Sequence, residues 1–331
     1  MTAALSLPAA EGAAPPPRRR RRRLTADVIS LFVVFLVLPL ALYLLFVIWP
    51  LIQAIGYSFT NWGGFSQNMD FIGIRNYQRL LDNPVFKRAM FNNTLLAIVL
   101  PIVILVLSFA LATMVTVGGA SKGQTRGLKG SGFYRVVSFF PYTVPAIITG
   151  LMFGLIFQSN GGLVNGILTR LGFHSFESFP WLGDVRTAMP VMMFTMVWGY
   201  VGFYMVLFIA AIKGIPAEIF EAARIDGAGR LRTAVSITLP LVRDNIQTAY
   251  IYLGIMAIDA FVYAQALNPT GGPENSTLTM SQELLNTAFQ RQQFGMACAM
   301  GVVMGVMTMI FAAIVFAVNA LTGGRERVTM A

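Results

Sequence analysis

The 331-residue sequence is poor in charged residues, in cysteine and in histidine, and each scarcity excludes a class of protein. Only 11% of its residues are charged and 56% are hydrophobic, whereas a soluble domain carries about 25% charged residues. Polar residues this scarce cannot cover a globule in water, which excludes a water-soluble enzyme and indicates an integral membrane protein. The single Cys298 excludes an internal disulfide, and the single His174 excludes multi-histidine metal motifs, so we expect no metal and assign neither residue a role.

Apolar stretches recur along the chain at the length needed to cross a bilayer, roughly 20 residues at 1.5 Å each. The sequence therefore predicts an all-α membrane bundle of six transmembrane helices within 28–320, flanked by tails at 1–27 and 321–331. The six predicted spans are about 28–50, 94–117, 133–157, 187–211, 245–267 and 296–320. Prolines inside spans predict kinks, because neighbouring helices satisfy the carbonyls that proline frees; they are Pro39, Pro101, Pro141 and Pro145.

The net charge of +10 is unevenly distributed among the connections between spans. With the N-terminus inside, 17 of the 24 Lys and Arg residues lie in cytoplasmic segments, six of them in the run Arg18 to Arg23. This bias predicts that both termini are cytoplasmic. An arginine run also suits nuclear targeting or nucleic-acid binding, but beside a membrane span we interpret it as a topology anchor and expect no nucleic-acid partner. The rest of the N-terminal tail has no apolar period and is predicted to be disordered.

The connection at 213–240, between the fourth and fifth spans, has the pattern of a helical hairpin. Pro216 suits a first helical position, and Glu218 places negative charge near the positive end of the helix dipole. Good helix formers continue to Asp226, and Gly227 and Gly229 then interrupt the helix before a second one begins. The sequence thus predicts two short helices joined by a glycine turn, with charges that can orient a docked partner.

At this connection the sequence resembles the permease subunits of binding-protein-dependent ABC importers. The EAA-x3-G-x9-I-x-L-P signature of that family is present at its spacing and in the expected loop. It is formed by Glu221-Ala222-Ala223, Gly227 and Ile237-Thr238-Leu239-Pro240. Segments at 71–81, 139–147, 215–229 and 270–277 look like the sugar branch, that of the larger maltose-transporter permease. The resemblance covers nearly the whole chain from about residue 28, without the large outer domain of the maltose subunit.

The resemblance implies a fold, a location and a set of partners. It implies a type I importer permease in the bacterial cell membrane that carries a sugar or oligosaccharide, amino sugars included, alongside a second permease and an extracytoplasmic sugar-binding protein. The hairpin would be the coupling helix seated on a separate ATPase dimer, with Gly227 as the bend. The residues implied in coupling are Glu221, Ala222, Ala223, Asp226, Gly227 and Pro240. ATP and magnesium would bind that partner, since Gly-Lys never occurs here and a phosphate loop is therefore absent from the sequence.

A candidate solute path follows from polar and aromatic residues within spans. Asp259 is the one ionisable residue deep in a span, where charge is costly and usually faces a cavity. Tyr263, four residues on, is predicted to share its helical face. Aromatic faces stack on sugar rings and phenols hydrogen-bond hydroxyls; packing between helices is the alternative role of each aromatic residue. The further candidates on the third and fourth spans are Tyr142, Trp198, Tyr200 and Tyr204.

Two alternatives to a sugar permease are open, and the first differs from it in class. An ion channel or membrane-embedded enzyme would use Asp259, but no second carboxylate, nucleophile with base or metal cluster accompanies it. A permease for a polyamine, an amino acid or a glycerol phosphate is a second alternative. A polyamine site would need several carboxylates and a phosphate site would need buried basic groups, and the spans offer neither set.

Overall fold

The computed structural model describes residues 30–65, 69–116 and 130–322, which are mostly helical. The predicted tail at 1–27 with its arginine run lies outside the described residues, as do 66–68, 117–129 and 323–331. The orientation of the termini therefore stays a prediction. The chain divides into two compact units, Met1–Ile52 and Gln53–Ala331.

We number the helices in chain order. The first five are Ser30–Tyr57 (α1), Arg75–Asp82 (α2), Pro84–Thr116 (α3), Ser131–Thr143 (α4) and Ala146–Ile156 (α5). The next three are Leu163–Arg170 (α6), Ala188–Lys213 (α7) and Ala217–Ile225 (α8). The consecutive stretches Arg230–Arg232, Thr233–Thr238 and Leu239–Leu241 together form α9, the middle one with π-helical geometry. The last four are Arg243–Ile258 (α10), Phe261–Leu267 (α11), Met280–Leu285 (α12) and Phe294–Thr322 (α13).

The predicted six spans are confirmed. Helices α1, α3, α7 and α13 are each long and apolar enough to cross a membrane alone. Helices α4 and α5 form a pair bent by 95°, and α10 and α11 form a pair bent by 48°; with each pair counted as one span, the total is six. The break in the third span lies at the kink predicted from Pro145, whereas the fifth span has no proline at its break.

Helix α1 is apolar around its whole circumference from Ser30 to Ile52. None of residues 30–52 is buried, and two stretches, Val33–Val37 and Leu44–Ile48, are π-helical. A helix whose every side is apolar is stable in lipid, where all its backbone hydrogen bonds are made within the segment.

The core of the second unit is built around α3. This helix packs against α7 and α10, and buries one side with Leu96, Leu100 and Ile104. The hydroxyl of Ser108 donates to the carbonyl of Val201 at 2.8 Å and joins α3 to α7. Close backbone approach fixes two further pairs: a Cβ on Gly202 would overlap the carbonyl oxygen of Ser138 between α7 and α4, and a Cβ on Gly150 would overlap Ala266 between α5 and α11.

The two breaks differ in their local sequence and contacts. Pro145 precedes the first turn of α5 with φ of −53° and ψ of 136°, and the 95° bend lies at Val144 and Pro145. The other break, at Asp259 and Ala260, contains neither proline nor glycine. Here the side-chain amide of Asn93 on α3 donates to the carbonyl of Ile258 and accepts from the backbone N–H of Met280 at 2.8 Å. The kinks predicted at Pro39 and Pro101 do not interrupt their helices, since both residues lie inside continuous helical segments.

Candidate functional site

The predicted hairpin is present as α8, a glycine turn and α9. Pro216 is the residue just before the first turn of α8, one position earlier than predicted, and Glu218 lies in that first turn. The fixed φ of proline favours entry into the helix, and the glutamate faces the positive end of the helix dipole. The hairpin, defined as residues 217–241, is tethered by α7 on one side and α10 on the other.

Gly227 ends α8 in a complete Schellman motif. Its φ is +72°, in the left-handed region, and its N–H donates to the carbonyl of Arg224 at 3.0 Å. The N–H of Ala228 donates back to the carbonyl of Ala223 at 2.8 Å. Glycine occupies this conformation without the steric cost that other L-residues incur. The chain then reverses, and Gly229, with an ordinary φ of −70°, precedes α9.

The hairpin anchors one face of α8 and leaves the opposite face exposed. Phe220 and Ala223 are 3% and 5% exposed, and Phe220 belongs to the core cluster. Ile225, by contrast, is 87% exposed. The inner face of α8 is therefore held by the core, while its outer tip is apolar and open. The exposed residues of the predicted coupling set are Glu221, Ala222, Asp226, Gly227 and Pro240, whereas Ala223 is turned inward.

The second candidate site is a cavity of about 270 Å³ at the bend between α4 and α5. It opens where irregular backbone replaces helix in the third span. Such backbone is stable at membrane depth only where protein covers it or where it lines a polar cavity. Three of the predicted solute-path residues line this cavity, one from each of the third, fourth and fifth spans: Tyr142, Tyr200 and Tyr263.

The three tyrosines form a row across the cavity. The ring centroids of Tyr142 and Tyr200 are 5.9 Å apart, and those of Tyr200 and Tyr263 are 6.1 Å apart, both edge to face. Tyr142 also stacks on Phe203 at 4.5 Å, which fixes its ring. This arrangement offers aromatic faces and phenolic hydroxyls in one place, which is the combination that a polyhydroxylated ring requires.

Gly199 makes room for the Tyr263 side chain. A Cβ at position 199 would lie 2.8 Å from the hydroxyl oxygen of Tyr263, closer than side chains pack. The absence of a side chain on α7 at this point therefore lets the phenol of α11 enter the cavity. Gly199 is not among the predicted site residues, although it lies between two of them, Trp198 and Tyr200.

Two of the predicted solute-path residues make aromatic contacts outside the described lining of this cavity. Trp198 is half-buried and meets the ring of Phe153 edge to face at 5.1 Å. Tyr204 is 8% exposed and packs edge to face on Phe203 at 5.1 Å. Neither belongs to the described lining of the cavity.

Asp259 lies at the break between α10 and α11 and is exposed. The expectation that it shares a helical face with Tyr263 is wrong, because the helix is interrupted between them, with Ala260 at φ of −75° and ψ of 30°. Tyr263 is 6% exposed and lines the cavity, whereas the described lining does not include Asp259.

The chain is similar in sequence to known transport proteins. Residues 114–328 match the family described as binding-protein-dependent transport system inner membrane component. The diacetylchitobiose uptake system permease protein NgcF of Streptomyces coelicolor is 55% identical over 303 residues, covering 92% of this chain and 86% of the relative. The multiple sugar-binding transport system permease protein MsmF of Streptococcus mutans is 34% identical, covering 82% and 88%.

A solved structure shares the fold. One chain of a bacterial ABC transporter involved in import of the acidic polysaccharide alginate superposes with a TM-score of 0.74 and 20% identity. The match covers 90% of this chain and 98% of the alginate importer chain. At this identity the likeness supports the arrangement of the helices alone.

Proposed function

This chain belongs to the family of binding-protein-dependent transport system inner membrane components, and from that membership we propose that it forms the membrane path for an oligosaccharide, with an N-acetylated disaccharide as the first candidate. The prediction from the EAA signature, a permease of this family, is confirmed. The chain is a multi-pass membrane protein and a transport component rather than an enzyme. The alternatives of an ion channel and a membrane-embedded enzyme are thereby excluded.

The proposal that the solute is a sugar rests on the row of tyrosines in the cavity. Small-molecule sites usually measure about 300–1,000 Å³, so a cavity of about 270 Å³ accommodates one ring of a disaccharide at a time. Phenol hydroxyls of Tyr200 and Tyr263 can donate to the acetyl carbonyl or to ring hydroxyls, while the rings contact the apolar faces of the sugar. NgcF, at 55% identity, is named for diacetylchitobiose, which has this chemistry. Polyamines, amino acids and glycerol phosphates remain alternative solutes.

We propose that the exposed face of α8 docks on a separate ATPase that binds ATP and magnesium. Glu221, Arg224 and Asp226 are exposed around Ile225, so this face combines an apolar tip with charges of both signs. A second permease subunit, an extracytoplasmic binding protein and the lipid bilayer complete the assembly, with both termini of this chain in the cytoplasm.

The covalent path from the hairpin to the cavity is short. Helix α9 leads into α10, whose 16 residues span about 24 Å. The break at Asp259 follows, held to α3 through Asn93, and α11 then carries Tyr263 into the cavity. A displacement of the hairpin is therefore transmitted along α10 to a pivot next to the solute site. We propose that Asp259 belongs to this pivot.

Uptake of diacetylchitobiose by cells that express the full importer tests the proposed substrate. Gly199→Ala is expected to displace the Tyr263 hydroxyl and to reduce uptake at least tenfold at low solute concentration. Gly154→Ala, on α5, is the control, since a Cβ there has no atom within 4 Å and uptake should not change. Uptake that is equal in both variants would contradict the assignment of the cavity, and the absence of diacetylchitobiose uptake in the unmodified importer would contradict the proposed solute.

A further inference from the structure

The bend between α4 and α5 leaves main-chain groups of the tyrosine cavity without hydrogen bonds. The N–H of Val144 turns back to the carbonyl of Pro141 at 3.2 Å, and Pro145 has no N–H. The carbonyls at the end of α4 therefore lose the donors that a continuous helix would give them. Among the residues that the structure describes, four main-chain groups of the cavity lining have no partner at this bend: the carbonyls of Tyr142, Thr143 and Val144 and the N–H of Ala146.

These groups lie within the third span, where an unsatisfied main-chain group is costly. Each of them needs water or a bound molecule as its partner, and the broken helices of transport proteins commonly offer such groups to a solute. The described lining of the cavity contains no Asp, Glu, Lys or Arg side chain. The hydrogen-bonding capacity of the cavity therefore comes from the main chain at the bend and from the phenols.

The bend offers acceptors and a donor in different places. The end of α4 carries the free carbonyls and hence partial negative charge, whereas the start of α5 carries the N–H of Ala146 and partial positive charge. Sugar hydroxyls can donate to the carbonyls. The N–H requires an acceptor, and a carbonyl oxygen, which bears more negative charge than a hydroxyl oxygen, suits the positive end of a helix best. An ammonium group would be repelled there.

We propose that the N–H of Ala146 binds the acetamido carbonyl of the solute, while the free carbonyls of Thr143 and Val144 accept from its hydroxyls. This inference rests on the proposed oligosaccharide path and deepens it. It makes the bend of the third span the element that distinguishes an N-acetylated sugar from an unacetylated one. The phenols of Tyr200 and Tyr263 then serve the remaining ring hydroxyls.

The substitution Ala146→Pro deletes this N–H with little other change. Ala146 is the first residue of α5, a position that proline favours. Pro145 before it has φ of −53° and ψ of 136°, the extended conformation that a residue preceding proline adopts. Leu163→Pro is the matched control, because Leu163 is the first residue of α6, follows Gly162 at φ of −64° and ψ of 145°, and lies outside the described cavity lining.

Saturation-transfer NMR measures the binding of two disaccharides to the full chain, purified with its accompanying permease and ATPase but without the binding protein. The two are diacetylchitobiose and cellobiose, in which hydroxyls replace the acetamido groups. We expect the unmodified complex to bind diacetylchitobiose about fivefold more tightly, the contribution of one net hydrogen bond. Ala146→Pro should remove this preference by weakening diacetylchitobiose alone, and Leu163→Pro should keep it.

Three outcomes would overturn this inference and leave the sugar path standing. They are equal binding of both disaccharides to the unmodified complex, a preference that persists in Ala146→Pro, and an equal loss of affinity for both disaccharides in that variant. The comparison in the unmodified complex does not depend on how well any variant folds. Binding of neither disaccharide would contradict the proposed sugar path as well.

Discussion

The turn at Gly227 allows a sharp test of the hairpin. In Gly227→Ala the new Cβ meets no atom within 4 Å, so the whole cost comes from the left-handed φ of +72°. For an L-residue that conformation costs about 1–2 kcal/mol. We therefore expect the population in which the turn has opened to rise by a factor of roughly 5–30. The two N–H groups of the Schellman motif, on Gly227 itself and on Ala228, would report this opening because both are hydrogen-bonded in the closed turn.

Hydrogen exchange of the purified protein, read on peptides that cover 221–232, measures the opening. Gly227→Ala should exchange faster by that factor, and Gly227→Asn should fall between it and the unmodified chain, because Asn tolerates the left-handed region. Gly229→Ala is the control, since its φ is −70° and its Cβ also meets open space. If Gly229→Ala accelerated exchange as much as Gly227→Ala, the turn would not depend on the glycine conformation, and the reasoning would be refuted.

Two further predictions concern the packing that holds the sites. Asn93→Ala leaves the buried Ile258 carbonyl and Met280 N–H without their partner, so we expect a loss of roughly 2–4 kcal/mol in unfolding free energy and a lower uptake rate. The exposed Asn245→Ala should stay within about 0.5 kcal/mol, and equal unfolding midpoints for the two variants would contradict this role of Asn93. Gly202→Ala places a Cβ against the Ser138 carbonyl, a backbone atom that cannot rotate away, so the destabilisation should reach about 3 kcal/mol. A thermal unfolding midpoint unchanged from that of the native chain would show that α4 and α7 can separate without cost.

The positions of the spans and of the hairpin could be predicted from the sequence, because both depend on local signals. Apolar length alone located all six spans, and Pro216 and Gly227 mark the start and end of α8. The broken fifth span was not predictable, since Asp259 and Ala260 carry no breaker signal. The carbonyl of Ile258 at this break accepts a hydrogen bond from the amide of Asn93, which lies 165 residues away along the chain.

The solute site was predictable only in part, for a similar reason. Helical periodicity paired Asp259 with Tyr263, but periodicity does not hold across a break that tertiary contacts create. Aromatic residues in the fourth span could not be sorted into lining and packing, because the sorting depends on neighbours such as Phe153 and Phe203. Gly199 leaves space because it has no side chain. That space matters only because the Tyr263 hydroxyl lies beside it in the folded chain.

ATP-dependent uptake in vesicles tests the central claim most directly. The full chain is reconstituted with its accompanying permease and binding protein, with or without the ATPase subunit, and solute accumulation against a gradient is measured. We expect accumulation only with the ATPase, and we expect Glu221→Lys on the exposed face of α8 to abolish it while the protein stays folded. Uphill accumulation without the ATPase, or unchanged accumulation in Glu221→Lys, would contradict the proposal that the hairpin couples a separate ATPase to the membrane helices of this chain.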